Sequence, residues 1–309
     1  MSPGKTSAAS ARQAAREKAA AMREADRRAE ARRRNLLVAG TAVVVVLILF
    51  AVTIAVKLAS KPTAAAGTAA VPASASLVSK VTSVPASVLS SVGAGGVSNP
   101  LTVAKGPSLT DGGRPLVVYL GAEYCPYCAA ERWSMVVALS RFGTFSGLKT
   151  THSSSTDTYP NTSTLSFYGS SYTSSYVSFQ PVETQTNIPD GAGSYTTLQT
   201  PTAQQQQLMN TYDAPPYVSA ATAGAIPFMD FGNKAILSGV SYSAALLSGL
   251  TQDQIASKLS TASDPIAQSV DGTANYITAM ICKLTAGKPG SVCDDPAIVK
   301  IRAANSAAR

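Results

Sequence analysis

The sequence predicts an α/β domain held to a membrane by one N-terminal helix, and three observations lead there. A run of 21 residues without charge, Leu36 to Val56, lies between Arg32, Arg33 and Arg34 on one side and Lys57 on the other. A short apolar, β-branched run, Leu116 to Leu120, leads directly into GAEYCPYCAAERW and a helix-like pattern. Further on, AIPFMDFGNKAILSGV reads as a hairpin and is followed by two helix openings. Strand, helix, mixed segment, hairpin and helices are the tally of a sheet packed against helices.

Residues 1–35 form a basic tail: the first 34 hold ten Lys/Arg against four acids, so most of the formal charge of +8 sits there. The basic balance therefore belongs to a tail and not to a folded face, which speaks against nucleic acid as a partner. An Ala/Arg/Glu segment before a span is instead drawn to anionic head groups. Residues 36–57 are long enough to cross a bilayer core, whereas a signal peptide carries a shorter apolar region nearer the N-terminus. The Ala-rich stretch after Lys61 still offers a cleavage site. The charge bias places the tail in the cytoplasm and everything after Lys57 outside it. Residues 58–80, almost wholly Ala, Ser, Thr and Pro, read as a tether, because they lack the apolar surface to offset ordering entropy. The folded domain is expected over residues 81–309.

Within it, SVPASVLSSVGAGG suggests a short helix capped by Ser83, with Val84, Val88, Leu89 and Val92 on its apolar side. Leu116 to Leu120 is a buried strand bounded by glycine and proline, and the helix after it carries Trp133, Val136, Val137 and Leu139 to near Gly143. From Thr150 to Ala225 runs a Ser/Thr/Tyr-rich insertion, in which LSFY and YVSFQPVE suggest strands with one wet face and QQQQLMNTY a short helix. Asn161 opens a glycosylation sequon. Phe231, Gly232 and Asn233 join the hairpin. Thr251 to Gln254 is a capping box, and Asp264 with Pro265 opens a last helix reaching about Gly287.

The chemistry rests on four cysteines, all on the outer side: Cys125, Cys128, Cys282 and Cys293. Zinc would need a second half-site, yet the later pair is widely spaced and His152 is the only histidine. Neither metal nor cofactor is expected. At a helix N-terminus, the first cysteine of C-x-x-C gains from free backbone N–H groups and the helix dipole, which favour thiolate. Cys125 is thus the expected nucleophile, and Cys128, one turn on, the thiol that resolves a mixed disulfide. Pro126 suits the first helical turn. A disulfide that merely locks strand to helix is the alternative. Cys282 and Cys293 read most simply as a staple between the last helix and the loop after it, with a relay to Cys125 as the other option.

In LVVYLGAEYCPYCAAERW the chain resembles the thioredoxin superfamily, and its CPYC tetrapeptide is similar to that of glutaredoxins. A second likeness lies in AIPFMDFGN, where Pro227 stands like the cis-proline of thioredoxin folds. The resemblance implies a thioredoxin-like fold, a catalytic pair Cys125 and Cys128, and a substrate surface of Tyr124, Pro126, Tyr127, Ile226 and Pro227, with the Ile226 backbone pairing with bound substrate. More narrowly, GAEYCPYCAAERW, HSSSTDTYPNTSTLSFYGSSY, IPFMDFGN and ICKLTAGKPGSVC resemble the membrane-anchored thioredoxin-like family catalogued as domain of unknown function 929, over roughly residues 80–300. Departures from the pattern matter too. Thioredoxins carry a buried acid where this chain has Tyr119. Glu123 and Glu131 flank the motif, and for each either a substitute proton-handling role or an exposed solubilising role stands open. No glutathione-binding pattern accompanies CPYC. His152 is a weaker catalytic candidate, or a loop histidine with a structural bond.

The resulting expectation is a single-pass, anchored thiol-disulfide oxidoreductase working outside the cytoplasm on protein thiol or disulfide clients and recycled by a membrane redox partner. The rival is a non-enzymatic binding or scaffold module whose disulfides only stabilise it, with the Tyr/Ser-rich insertion as its binding surface.

Overall fold

The structure, a computed structural model, describes residues 67–307. The expected tail, membrane helix and first part of the tether lie outside the described residues. Among the described residues no helix is long and apolar enough to cross a membrane.

The elements run β1 (Val71–Pro72), α1 (Ala75–Thr82), α2 (Ala86–Val92), β2 (Thr102–Val103), β3 (Thr110–Asp111), β4 (Arg114–Gly121), α3 (Pro126–Ser140), β5 (Gly143–Ser146), β6 (Lys149–His152), β7 (Ser163–Ser166), β8 (Ser171–Ser174), β9 (Ser178–Glu183), β10 (Gln185–Pro189) and β11 (Tyr195–Thr197). There follow α4 (Ala203–Tyr212), β12 (Phe228–Phe231), β13 (Ala235–Ser238), a 3-10 turn (Ala244–Leu247), α5 (Gln252–Lys258), α6 (Pro265–Leu284), α7 (Gly290–Cys293) and α8 (Pro296–Ala307). The mixed α/β class is the one the sequence predicts.

Strand β4 is the middle of the main sheet, pairing antiparallel with β12 on one edge and parallel with β9 on the other. Beyond β12 come β13 and then β2, both antiparallel to their neighbours. Alternate side chains of β4 enter different cores. Val117 and Tyr119 face the larger one with Met229, Phe231, Trp133 and Ile277, while Leu116, Val118 and Leu120 face a smaller one with Phe228, Ile236, Leu208 and Tyr212. A strand covered on both faces needs apolar side chains at every position, which is why RPLVVYLG does not alternate. Helices α3 and α6 pack together on the first face, and α4 lies against β12 on the second.

Local signals account for most boundaries. Positive φ at Gly232 (62°) and Asn233 (59°) turns the chain between β12 and β13, and the Lys234 N–H closes the turn on the Phe231 carbonyl at 3.0 Å. Thr251 and Gln254 cap α5 reciprocally, and the Ile266 N–H donates to the Asp264 side chain at 2.8 Å at the start of α6.

Four expectations change. The tether does not extend to Lys80, since Val71–Pro72 pairs with β6 and α1 buries Leu77 and Val81 in the larger core. Ser83 closes α1, and α2 begins after Pro85 without a side-chain cap. The Ser/Thr/Tyr-rich region is not wholly an insertion either, because its YVSFQPVE piece supplies β9, the parallel neighbour of β4. Nor has β7 a wet face, as all four of its residues are buried. Its hydroxyls find internal acceptors: Ser163 donates to the Leu250 carbonyl (2.5 Å), Thr164 to the Ala129 carbonyl (2.7 Å) and Ser166 to the Glu123 carboxyl (2.5 Å). Composition reads such hydroxyls as solvated, yet a bonded hydroxyl is buried at little net cost.

Cys282 in α6 and Cys293 in α7 form a disulfide across 11 positions. Closing so short a loop stabilises by about 3 kcal/mol in the chain-entropy model. A Cys282→Ala, Cys293→Ala variant should melt lower in calorimetry while its folded fraction keeps the alkylation rate of Cys125. An unchanged melting temperature with altered Cys125 reactivity would point to a relay instead.

Helix α6 also buries Asp271 with neither carboxylate oxygen bonded among the described residues, and burial pushes its pKa from the usual 3.8 to about 8. Tyr242 faces both Asp271 and Glu131, whose own pKa burial raises to about 7. A raised carboxyl pKa means that the unfolded chain ionises first, so stability falls as pH climbs from about 4 to about 8. Asp271→Asn should therefore match the parent near pH 4 and gain on it steadily up to pH 8. Parallel melting curves across that range would refute the assignment.

Candidate active site

Past Gly121 the chain leaves the sheet through Ala122, Glu123 and Tyr124 and enters α3 at Cys125. Cys125 is the N-cap, in extended conformation (φ −77°, ψ 121°), with Pro126 as the first helical residue. Its N–H donates to the Ala122 carbonyl at 3.3 Å. The Cys125 sulfur accepts the N–H of Cys128 at 3.3 Å, taking the place that a cap oxygen holds in other helices. From the opposite side the Cys125 thiol donates to the Ile226 carbonyl at 3.7 Å, just before a cis Ile226–Pro227 bond and strand β12.

The two sulfurs differ in surroundings. Cys125 retains 5% exposure and Cys128 none. The Cys128 thiol hydrogen bond lowers the Cys125 pKa, and the Cys128 N–H, Arg132 and the Tyr127 N–H act with it against partial burial. Burial raises the Cys128 pKa well above its ordinary value, with Cys125 adding to the rise. The outer sulfur is thus shifted toward thiolate and the inner one toward thiol.

Behind the sulfurs lies a closed polar group. Arg132, fully buried, donates from Nε and Nη2 to the two carboxylate oxygens of Glu183 on β9 at 2.7 and 2.6 Å. Its Nη2 also donates to the Ala122 carbonyl at 2.7 Å. Tyr119 underlies this pair, its ring centroid 5.9 Å from the guanidinium carbon and its hydroxyl without a bond among the described residues. Burial raises the Tyr119 pKa well above normal, so a neutral phenol lies beneath the ion pair. Gly121 makes this possible: a Cβ there would lie 2.1 Å from the Tyr119 hydroxyl oxygen.

Glu123 and Glu131 are both buried, which removes the exposed, solubilising alternative for each. Glu123 accepts from Ser166, and burial raises its pKa. Glu131 accepts the Ser241 N–H at 2.9 Å and the Ser241 hydroxyl at 3.3 Å.

Around the sulfurs stands a rim of tyrosines. Tyr124 stacks on Tyr195 at 4.4 Å, and Tyr195 donates to Ser154, whose N–H in turn donates to the Tyr124 carbonyl. Tyr127 is exposed and meets Tyr159 edge-on at 6.0 Å. Of the expected substrate surface, Tyr124 and Ile226 are half-buried, Tyr127 is exposed, and Pro126 and Pro227 are buried beneath them. His152 belongs elsewhere: it ends β6, neighbours Gln252 at 3.4 Å and lines a pocket of about 50 Å³ that neither cysteine reaches. Burial lowers its pKa.

Arg132, Glu183, Tyr159 and Tyr195 are the site residues that sequence reasoning missed. Arg132 had a signal, four residues past Cys128 and so on the same helix face. Glu183 had none, since its partner is 51 positions away.

A family model described as Domain of unknown function (DUF929) matches residues 102–283. The chain belongs to this family. The matched span begins at β2 and ends one residue short of the end of α6, so it holds every strand of the main sheet, both site cysteines and Cys282, but not Cys293. No curated protein and no solved structure matches the chain.

Proposed function

We propose that this chain is a membrane-anchored thiol-disulfide oxidoreductase with a thioredoxin-like domain outside the cytoplasm. The observation that carries the reading is the asymmetry of the C-x-x-C pair: an N-cap sulfur held toward thiolate and in contact with Ile226, over a buried thiol one turn along. The strand order β13, β12, β4, β9, with only the last pair parallel and a helix following both β4 and β13, supports the thioredoxin-like reading.

In this mechanism the Cys125 thiolate attacks a client disulfide. A bond forms between Cys125 and one client sulfur, and the other client sulfur leaves as thiolate and takes up a proton. Cys128 then gives up its proton and attacks Cys125, releasing the second client sulfur. Two electrons pass to the client, whose sulfurs end as thiols with one proton from Cys128 and one from solvent, and the pair ends as a disulfide that an external dithiol, supplied by a membrane partner, resets by becoming a disulfide itself. The reverse sequence oxidises a client dithiol. Tyr124, Tyr127, Tyr159 and Tyr195 offer flat faces to the polypeptide around the client cysteine, at little loss of side-chain freedom.

Cys125→Ser should abolish exchange, and Cys128→Ser should accumulate mixed disulfides resolvable on non-reducing gels. Equal loss of exchange with no adducts in the second variant would refute the roles given. For the anchor, the uncharged run from Leu36 to Val56 and its basic flank are the support. Protease added to intact cells should remove the domain and spare the N-terminal tail, and a protected domain would invert the topology.

A further inference from the structure

Arg132 lies one turn beyond Cys128 on α3, so its side chain leaves the helix on the face that carries the resolving thiol. Its guanidinium is fixed at both ends of the site. On one side it grips Glu183, which β9 brings opposite Gly121 in the register with β4. On the other, Nη2 reaches the Ala122 carbonyl, the same oxygen that accepts the Cys125 N–H. Glu183 accepts as well from the Phe167 N–H at 3.4 Å. Both charged side chains have no exposure, while the Nη1 of Arg132 has no bond among the described residues. A structural ion pair alone would not need to end on the turn that delivers the nucleophile.

Resting on the redox reading above, we propose that Arg132 and Glu183 are positioning residues that set the charge balance at the two sulfurs, and with it the reduction potential of the Cys125/Cys128 couple. Arg132 is the cation that favours sulfur anions, and Glu183 is the counterweight that limits it. The guanidinium acts on both cysteines: on Cys125 it adds to the larger effect of the Cys128 hydrogen bond, and on Cys128 it opposes burial. Thiolate exists only in the reduced couple, so stabilising it favours the dithiol and makes the couple more oxidising.

The test uses the full chain in detergent. The Cys125 thiolate is titrated by its alkylation rate against pH, and the couple is equilibrated with glutathione. In that exchange, protein dithiol and glutathione disulfide give protein disulfide and two glutathione thiols. Glu183→Gln leaves the cation unbalanced in an isosteric site. It should lower the Cys125 pKa by about one unit and shift the exchange constant about tenfold toward the dithiol, which is about 30 mV more positive. Arg132→Gln combined with Glu183→Gln keeps a neutral, hydrogen-bonding pair and should move both readouts the opposite way. Arg132→Lys, which retains the charge, should lie closer to the parent than that double variant does. Glu183→Gln and the double variant moving both readouts in the same direction, or leaving both unmoved, would overturn the proposal. Should Glu183→Gln fail to fold, the comparison of Arg132→Lys with the double variant decides alone, equal values sinking the idea. A parent that never exchanges with glutathione disulfide contradicts the redox reading instead, and the alkylation titration still judges the charge balance.

Discussion

Strand β4 is enclosed on four sides, and the rest of the domain follows from that confinement. Its two faces feed separate cores, and its two edges must both be hydrogen-bonded because no water reaches them. An antiparallel β12 comes from the chain after it, and a parallel β9 arrives only by way of a long crossover through α3 and β5 to β8. The chain leaves this strand at Gly121 and turns at once into the cysteine helix. There the Gly121 carbonyl accepts from Thr184 and the Ala122 carbonyl gathers Cys125 and Arg132, so the cysteine pair emerges at the C-terminal edge of a rigid sheet. Open α/β sheets place their ligand sites at the same edge, for the same reason.

The unusual part of this domain is how much polar matter it buries. Serine and threonine hydroxyls of β7 bond to carbonyls of other elements, Glu123 and Glu131 sit inside, and Arg132 faces Glu183 without solvent. None of this is favoured by burial alone. Removing one partner of a buried ion pair costs on the order of 3–5 kcal/mol, because the other charge is left stranded, whereas an apolar pair of equal volume is often no less stable. The group therefore has more to do with where α3 sits relative to β9 than with holding the domain together. Polar bonds are directional where apolar packing is not, and here they converge on the turn that carries Cys125.

Local rules made much of the site legible. Cys125 as N-cap, Pro126 as first helical residue, the hairpin at Gly232 and Asn233, and the caps of α5 and α6 each depend on backbone terms that a few consecutive residues satisfy. Pro227, which the resemblance implies as a cis-proline, follows a cis bond, and the structure sets Ile226 against Cys125. Composition misled where it stood in for environment. The Ala/Ser stretch up to Lys80 looked too poor in apolar surface to order, yet Leu77 and Val81 suffice once α3 and α5 offer a surface to receive them. Ser/Thr-rich β7 looked solvated and is interior.

The sequence by itself determined the order of elements, the position of the cysteine pair at a helix N-terminus, the asymmetry between its two sulfurs and the family to which the chain belongs. These are short-range properties, set by φ, ψ, caps and side-chain period. The tertiary structure alone decided that β9 pairs with β4, that Glu183 therefore meets Arg132, that Tyr159 and Tyr195 join Tyr124 and Tyr127 around the sulfurs, and that His152 stands apart from them. Each of those contacts joins residues tens of positions apart. No local preference encodes them, because they exist only after the core has brought distant segments into register.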